Sequence, residues 1–164
     1  MADLTILEDK LAEVLGLAQA AQTATKKVAA LARAEEETAL AELMDKMSGQ
    51  AAEIEARCDS VASSLDGKKT AITEKARETK NEVTEFMKTY LEDAEALDGL
   101  EFLSMAEAGE KAHWEILATL NAKANDEDVA SLVDFALPIQ NNHLDAVREH
   151  SLRLAADEDP SEIA

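Results

Sequence analysis

Residues 4–32 read LTILEDKLAEVLGLAQAAQTATKKVAALA, and their spacing decides the fold. Small or apolar side chains recur at Leu4, Leu7, Leu11, Val14, Ala18, Ala21, Val28 and Ala32, with Thr25 filling the gap. Steps of three and four place these side chains along one face of an α-helix. The stretch predicts a helix of about thirty residues, roughly 45 Å long, with Asp3 as its N-cap. Gly16 inside it costs up to ~1 kcal/mol relative to alanine, which points to a second helix crossing closely there.

The pattern continues outward from this stretch. Polar residues Arg33 to Glu37 form a turn, and a second stripe follows at Leu40, Leu43, Met47, Ala51, Ile54, Cys58, Val61 and Leu65. Asp66-Gly67 ends it, since glycine accepts the left-handed conformation favoured at helix C-termini. Residues 68–92 carry a thinner stripe, Ile72, Ala76, Thr79, Val83, Phe86 and Tyr90. They predict a peripheral helix, with a long, partly ordered connector as the alternative. Asp98-Gly99 is expected to break the chain before a fourth helix from Leu100 to Ala122, whose inward positions are Leu103, Ala106, Glu110, His113, Leu117 and Leu120. Asn125 or Asp126 caps a fifth helix bearing Val129, Val133, Ala136, Gln140, His143, Val147, His150 and Leu154. Pro138 offers no N–H to the carbonyl of Asp134, so a bend is expected between Asp134 and Gln140. Long helices with short joints predict an all-α fold, an antiparallel four-helix bundle with one accessory helix. Residues 1–156 form one domain, and 157–164 an acidic tail expected to be disordered.

Composition excludes most alternatives. Five glycines, two prolines and 3 % aromatic residues in 164 leave too little turn and strand chemistry for a β-sandwich or barrel. A 46 % hydrophobic content is too high for an acid-rich disordered chain. The net charge of −19 repels nucleic-acid backbones and anionic lipids, and the densest basic runs are pairs, Lys26-Lys27 and Lys68-Lys69. No nucleic-acid partner is expected. No apolar run approaches the ~18 residues of a membrane span, and the N-terminus lacks a secretory pattern, so no membrane association is expected either. A single cysteine, Cys58, forbids an intrachain disulfide and suits a cytoplasmic setting. On an apolar stripe, Cys58 reads as a packed thiol rather than a nucleophile.

Two polar pairs interrupt the last two stripes: Glu110-Lys111-Ala112-His113 and Gln140-Asn141-Asn142-His143. Residues three apart on a helix share a face, so each pair can converge on one point. Carboxylate and imidazole form the ligand set that iron or manganese takes in bundle cores. Two of the three histidines have this spacing. Glu110, His113, Gln140 and His143 are therefore expected in one cluster, with Glu115 as a further candidate metal ligand. The alternative is purely structural: buried imidazole, amide and carboxylate hydrogen-bond one another across the interface. Trp114 is expected to anchor an interface or core edge.

This layout and these pairs resemble the ferritin-like superfamily, and the last third is most similar to its YciF-type branch of small stress-associated bacterial proteins. The resembling stretches are Gly49-Gln50, Gly67-Lys68-Lys69, Lys111-Ala112-His113-Trp114-Glu115-Ile116 and the polar inward face of the fifth helix. The likeness in length and helix layout covers nearly the whole chain, and the motif likeness is local. It implies a di-iron centre of two Glu-x-x-His pairs plus a glutamate from each of two other helices. This chain departs from that set. Gln140 opens the second pair, Ala112 stands where the branch commonly has glutamate, and alignment puts Leu17 and Lys46 at two carboxylate positions. Lys46 would either pair with Glu110 or Glu115 in the core or extend to solvent.

The expected function is that of a ferritin-like bundle without a complete di-iron site, acting as a non-enzymatic packing or interaction protein with stress association implied by the resemblance. It would have no cofactor, and a homo-oligomer or protein partner. The alternative is an iron- or manganese-binding oxidoreductase or iron-handling protein with a reduced ligand set. A third expectation is an adaptor whose partner covers an outer stripe of Phe86, Tyr90 and Phe102.

Overall fold

A computed structural model describes residues 2–161 of the chain. Among them the fold is all-α: 86 % of the residues are helical and none is in a strand. The helices are α1 (Ile6–Ala34), α2 (Thr38–Ser64), α3 (Lys69–Tyr90), α4 (Ala96–Ala124) and α5 (Glu127–Asp157). Of the acidic tail expected over 157–164, Asp157 closes α5 and residues 162–164 lie outside the described residues.

The helix ends follow local chemistry. Thr5, rather than Asp3, caps α1. Its hydroxyl accepts from the Glu8 N–H (3.2 Å), and the Glu8 carboxylate accepts from the Thr5 N–H (2.7 Å). After α2, Gly67 takes φ +69°, as a residue leaving a helix favours. Asp98-Gly99 does not break the chain, which corrects the expected start at Leu100. α4 begins three residues before Gly99, at Ala96, because the Asp98 carboxylate accepts from the Glu95 N–H (2.8 Å) and caps it. Gly99 serves packing instead: a Cβ there would lie 3.0 Å from Val28 Cγ2. Asn125 ends α4 in the left-handed conformation, and Asp126 caps α5 by accepting from the Val129 N–H (3.0 Å). α5 runs through Pro138 as one helix.

Contacts between α1, α2, α5 and α4 close into a ring, while α3 rests mainly on α1. Cross-links fix the directions. Arg33 bonds Asp45, and Gln19 bonds Glu55, so α1 and α2 run antiparallel. Arg153 bonds Glu37 while Ser64 meets Asp128, which makes α2 and α5 antiparallel. α3 runs parallel to α1, with Lys68 near Glu8 and Ala76 against Gly16. A Cβ on Gly16 would lie 2.3 Å from the Ala76 carbonyl oxygen, so the glycine admits α3, the close crossing expected from a glycine inside the helix.

The buried apolar residues form two clusters. One contains Leu11, Ile54, Ile72, Trp114 and Val133, the other Val28, Met44, Phe102, Leu103 and Val147. Along α4 the sequence passes from Leu103 in one to Trp114 in the other, and along α5 from Ala136 to Val147. The polar residues of α4 and α5 fall in the gap between the two halves.

Candidate functional site

The gap is filled by Glu107 and Glu110 from α4 and by Gln140 and His143 from α5, all four buried. Each pair is spaced i, i+3 and shares a helix face. On antiparallel helices the first of one pair meets the last of the other. Gln140 Nε2 accordingly donates to Glu110 Oε1 (2.8 Å), and His143 Nδ1 lies 3.5 Å from Glu107 Oε2. The other imidazole nitrogen, Nε2, is 2.9 Å from Gln50 Oε1 on α2. His143 therefore addresses a carboxylate on α4 and an amide on α2, and the network spans three helices.

The electrostatics of this layer are set by burial. Burial first, and the neighbouring Glu107 carboxylate second, hold the Glu110 carboxyl well above the usual carboxylate range, with the Gln140 amide acting in the other direction. Burial also pushes the Cys58 thiol up, reinforced by Glu110 and Glu55, so the thiol is packed and unreactive. Two side-chain oxygens of the layer, Glu107 Oε2 and Gln140 Oε1, have no hydrogen-bond partner among the described residues.

Of the residues singled out by spacing, Glu110, Gln140 and His143 come together. His113 and Glu115 do not join them. His113 stands at the edge of α4, where its Nδ1 lies 3.1 Å from Glu13 Oε2 and 3.4 Å from Lys10 Nζ on α1. Burial opposes ionisation of Glu13, yet Lys10 and His113 together hold that carboxyl below its usual range. Glu115 is exposed, with Lys111 Nζ at 3.8 Å. Lys46 is exposed on α2 and does not enter the core. Phe102 is not part of an outer stripe but is 1 % exposed, although its ring meets those of the exposed Phe86 and Tyr90 at 5.7 and 5.8 Å.

Glu107 was not anticipated. The inward stripe of α4 runs Leu103, Glu107, Glu110, Trp114, Leu117, Asn121, all buried. It alternates steps of four and three where three and four were expected. The signal available in the sequence was Trp114, the largest apolar residue of the segment, which claims the core position next to His113.

The donor set was compared with a di-iron centre, which needs about four carboxylates and two imidazoles. The layer holds two carboxylates, one imidazole and two amides, so the set does not fit. Among the described residues, no three His, Cys, Asp or Glu side chains are placed to share one metal ion. Comparison with protein-family models, curated proteins and solved structures returns no significant match.

Proposed function

We propose that the chain is an antiparallel four-helix bundle of ferritin-like topology, with α3 as the long crossover, that acts by non-covalent association and not as a di-iron oxidoreductase. The observation that carries this reading is the bond from Gln140 Nε2 to Glu110 Oε1 at 2.8 Å. An amide N–H donates where a metal site would need a lone pair. Gln140 thus satisfies Glu110 in the way a bound cation otherwise would. The closed ring of α1, α2, α5 and α4, with α3 returning outside it, supports the topology. In this proposal the protein works in the cytoplasm, with a protein partner or a second copy of itself, and its stress association follows from the resemblance alone.

Elemental analysis tests the proposal. The protein is expressed in medium supplemented with iron and manganese, beside a Glu110→Gln, His143→Ala double variant. The expected result is metal well below one equivalent per chain in both. Two equivalents of iron per chain, lost in the double variant, would refute it in favour of an iron-handling role.

A further inference from the structure

On the outer side of the polar layer, α3 meets α4 through Phe86 and Tyr90 against Phe102, and beside these rings a cleft of about 190 Å³ opens over α1. Its walls are apolar: Leu17, Ala21 and Ala24 from α1, Phe86 from α3, and Met105 from α4. Room exists because α1 presents alanines at this level and because Gly109, on α4, has nothing within 4 Å of the place of a Cβ. Glu107, Glu110 and His113 also line the cleft, His113 turned to Glu13 on α1, and no Lys or Arg does. Glu107 is 1 % exposed, and its Oε2 has no hydrogen-bond partner among the described residues, with His143 Nδ1 standing 3.5 Å away.

We propose that this cleft binds a small aromatic or branched-alkyl ammonium ion, with the apolar group between Phe86 and the α1 alanines and the ammonium head at Glu107. Three features select this class. Size comes first: an apolar cavity of roughly 150 Å³ accepts benzene, so 190 Å³ suits a single ring or a short branched chain with a head group. Charge comes second. The Glu107 carboxylate among apolar walls, with an oxygen that has no hydrogen-bond partner among the described residues, favours a cation that donates hydrogen bonds and disfavours an anion. The third feature is the ring of Phe86, 5.7 Å from that of Phe102, which offers a face to an aromatic group or to the cation itself. A bare metal ion would meet the carboxylate but leave the apolar walls unused.

The inference goes beyond the proposed function, and its test uses protein whose metal content has already been measured, so the two can fail separately. Three phenylethyl compounds that differ in head group are titrated into the full chain by calorimetry: 2-phenylethylammonium, 2-phenylethanol and 3-phenylpropanoate. The ammonium ion should bind once per chain, at least about tenfold more tightly than either of the others. Glu107→Gln should remove about tenfold of its affinity while leaving the alcohol unchanged. Gly109→Leu, which fills the cleft from the side of α4 and leaves the carboxylates in place, should weaken all ligands. No binding of the ammonium ion up to about 10 mM, or equal binding of the alcohol, would overturn the proposal. So would undiminished binding to Gly109→Leu.

Discussion

Replacing Gly16 with alanine pits two effects of opposite sign against each other. At an uncrowded position within a helix, Gly→Ala stabilises by ~1 kcal/mol through propensity. At Gly16 the new Cβ would stand 2.3 Å from the Ala76 carbonyl oxygen and 2.8 Å from Thr79 Cβ. A carbon–oxygen contact settles near about 3.3 Å, so α3 must withdraw by about 1 Å. The obstructing atom belongs to the backbone and cannot swing aside. Overpacking of this kind costs about 1–3 kcal/mol, and with a rigid obstacle the upper part of that range applies. The net expectation is a loss of about 1–2 kcal/mol, a fall in Tm of roughly 2–8 °C for a chain of this size. Gly49→Ala is the control, since Gly49 lies within α2 with nothing within 4 Å of its would-be Cβ, and it should gain about 0.5–1 kcal/mol. Urea unfolding followed by circular dichroism reads both, and hydrogen exchange over Lys69–Tyr90 reports whether α3 loosens in the first variant. If Gly16→Ala stabilises as Gly49→Ala does and α3 exchange is unchanged, α3 is not seated on α1 as described.

Glu110→Gln tests the buried carboxyl by its pH dependence. The folded value is raised above the ordinary 4.5, so the folded chain holds this proton where the unfolded chain has lost it. Its contribution to stability is complete below about pH 4.5 and is lost as pH rises toward the folded value. The variant cannot ionise and keeps an acceptor for Gln140. Its stability relative to the native chain should therefore rise between pH 5 and 8, and urea unfolding at several pH values checks this; a flat or falling difference contradicts it. Pro138→Ala restores an N–H opposite the Asp134 carbonyl at an exposed position of α5, and should stabilise by up to about 3 kcal/mol in the same assay.

Most of the helical layout was legible in the sequence, because long stripes with few breakers admit one interpretation. α5 is the clearest case: Val129, Val133, Ala136, Gln140, His143, Val147 and Leu154 are all buried, and His150 is half-buried. α4 was harder for a geometric reason. From Glu110, a step of three and a step of four both land within about 60° of the same face. Periodicity alone could not choose between His113 and Trp114, whereas hydrophobicity does. The start of α4 was missed because glycine was weighed as a breaker, while its effect here depends on Val28, a contact invisible to local pattern. The candidate site was thus half visible: its α5 side was placed, and on α4 the partner of Glu110 proved to be Glu107, one turn before it, instead of His113.

The same layer bears on how α4 and α5 find their register. Glu107 faces His143 and Glu110 faces Gln140, so facing residues sum to a constant, as antiparallel packing requires. Sliding α5 by one turn in one direction would set Glu107 against Ile139 and Glu110 against Ala136. Sliding it the other way would set them against Val147 and Leu144. Leu117 keeps an apolar partner in both slips, Val129 in one and Leu137 in the other, while Leu103 would meet His143 in the first and Trp114 would meet Gln140 in the second. Both slips strand two carboxylates together with an amide and an imidazole. A neutral buried group without its partner costs about 1–3 kcal/mol and a charged one more, so the loss of the hydrogen bonds of Glu110, Gln140 and His143 alone approaches the whole stability of a typical domain. Glu107 and Glu110 are thus poor contributors to stability in the native register and strong penalties in the neighbouring ones. That asymmetry accounts for polar groups at the junction of two apolar clusters without requiring a metal to hold them there.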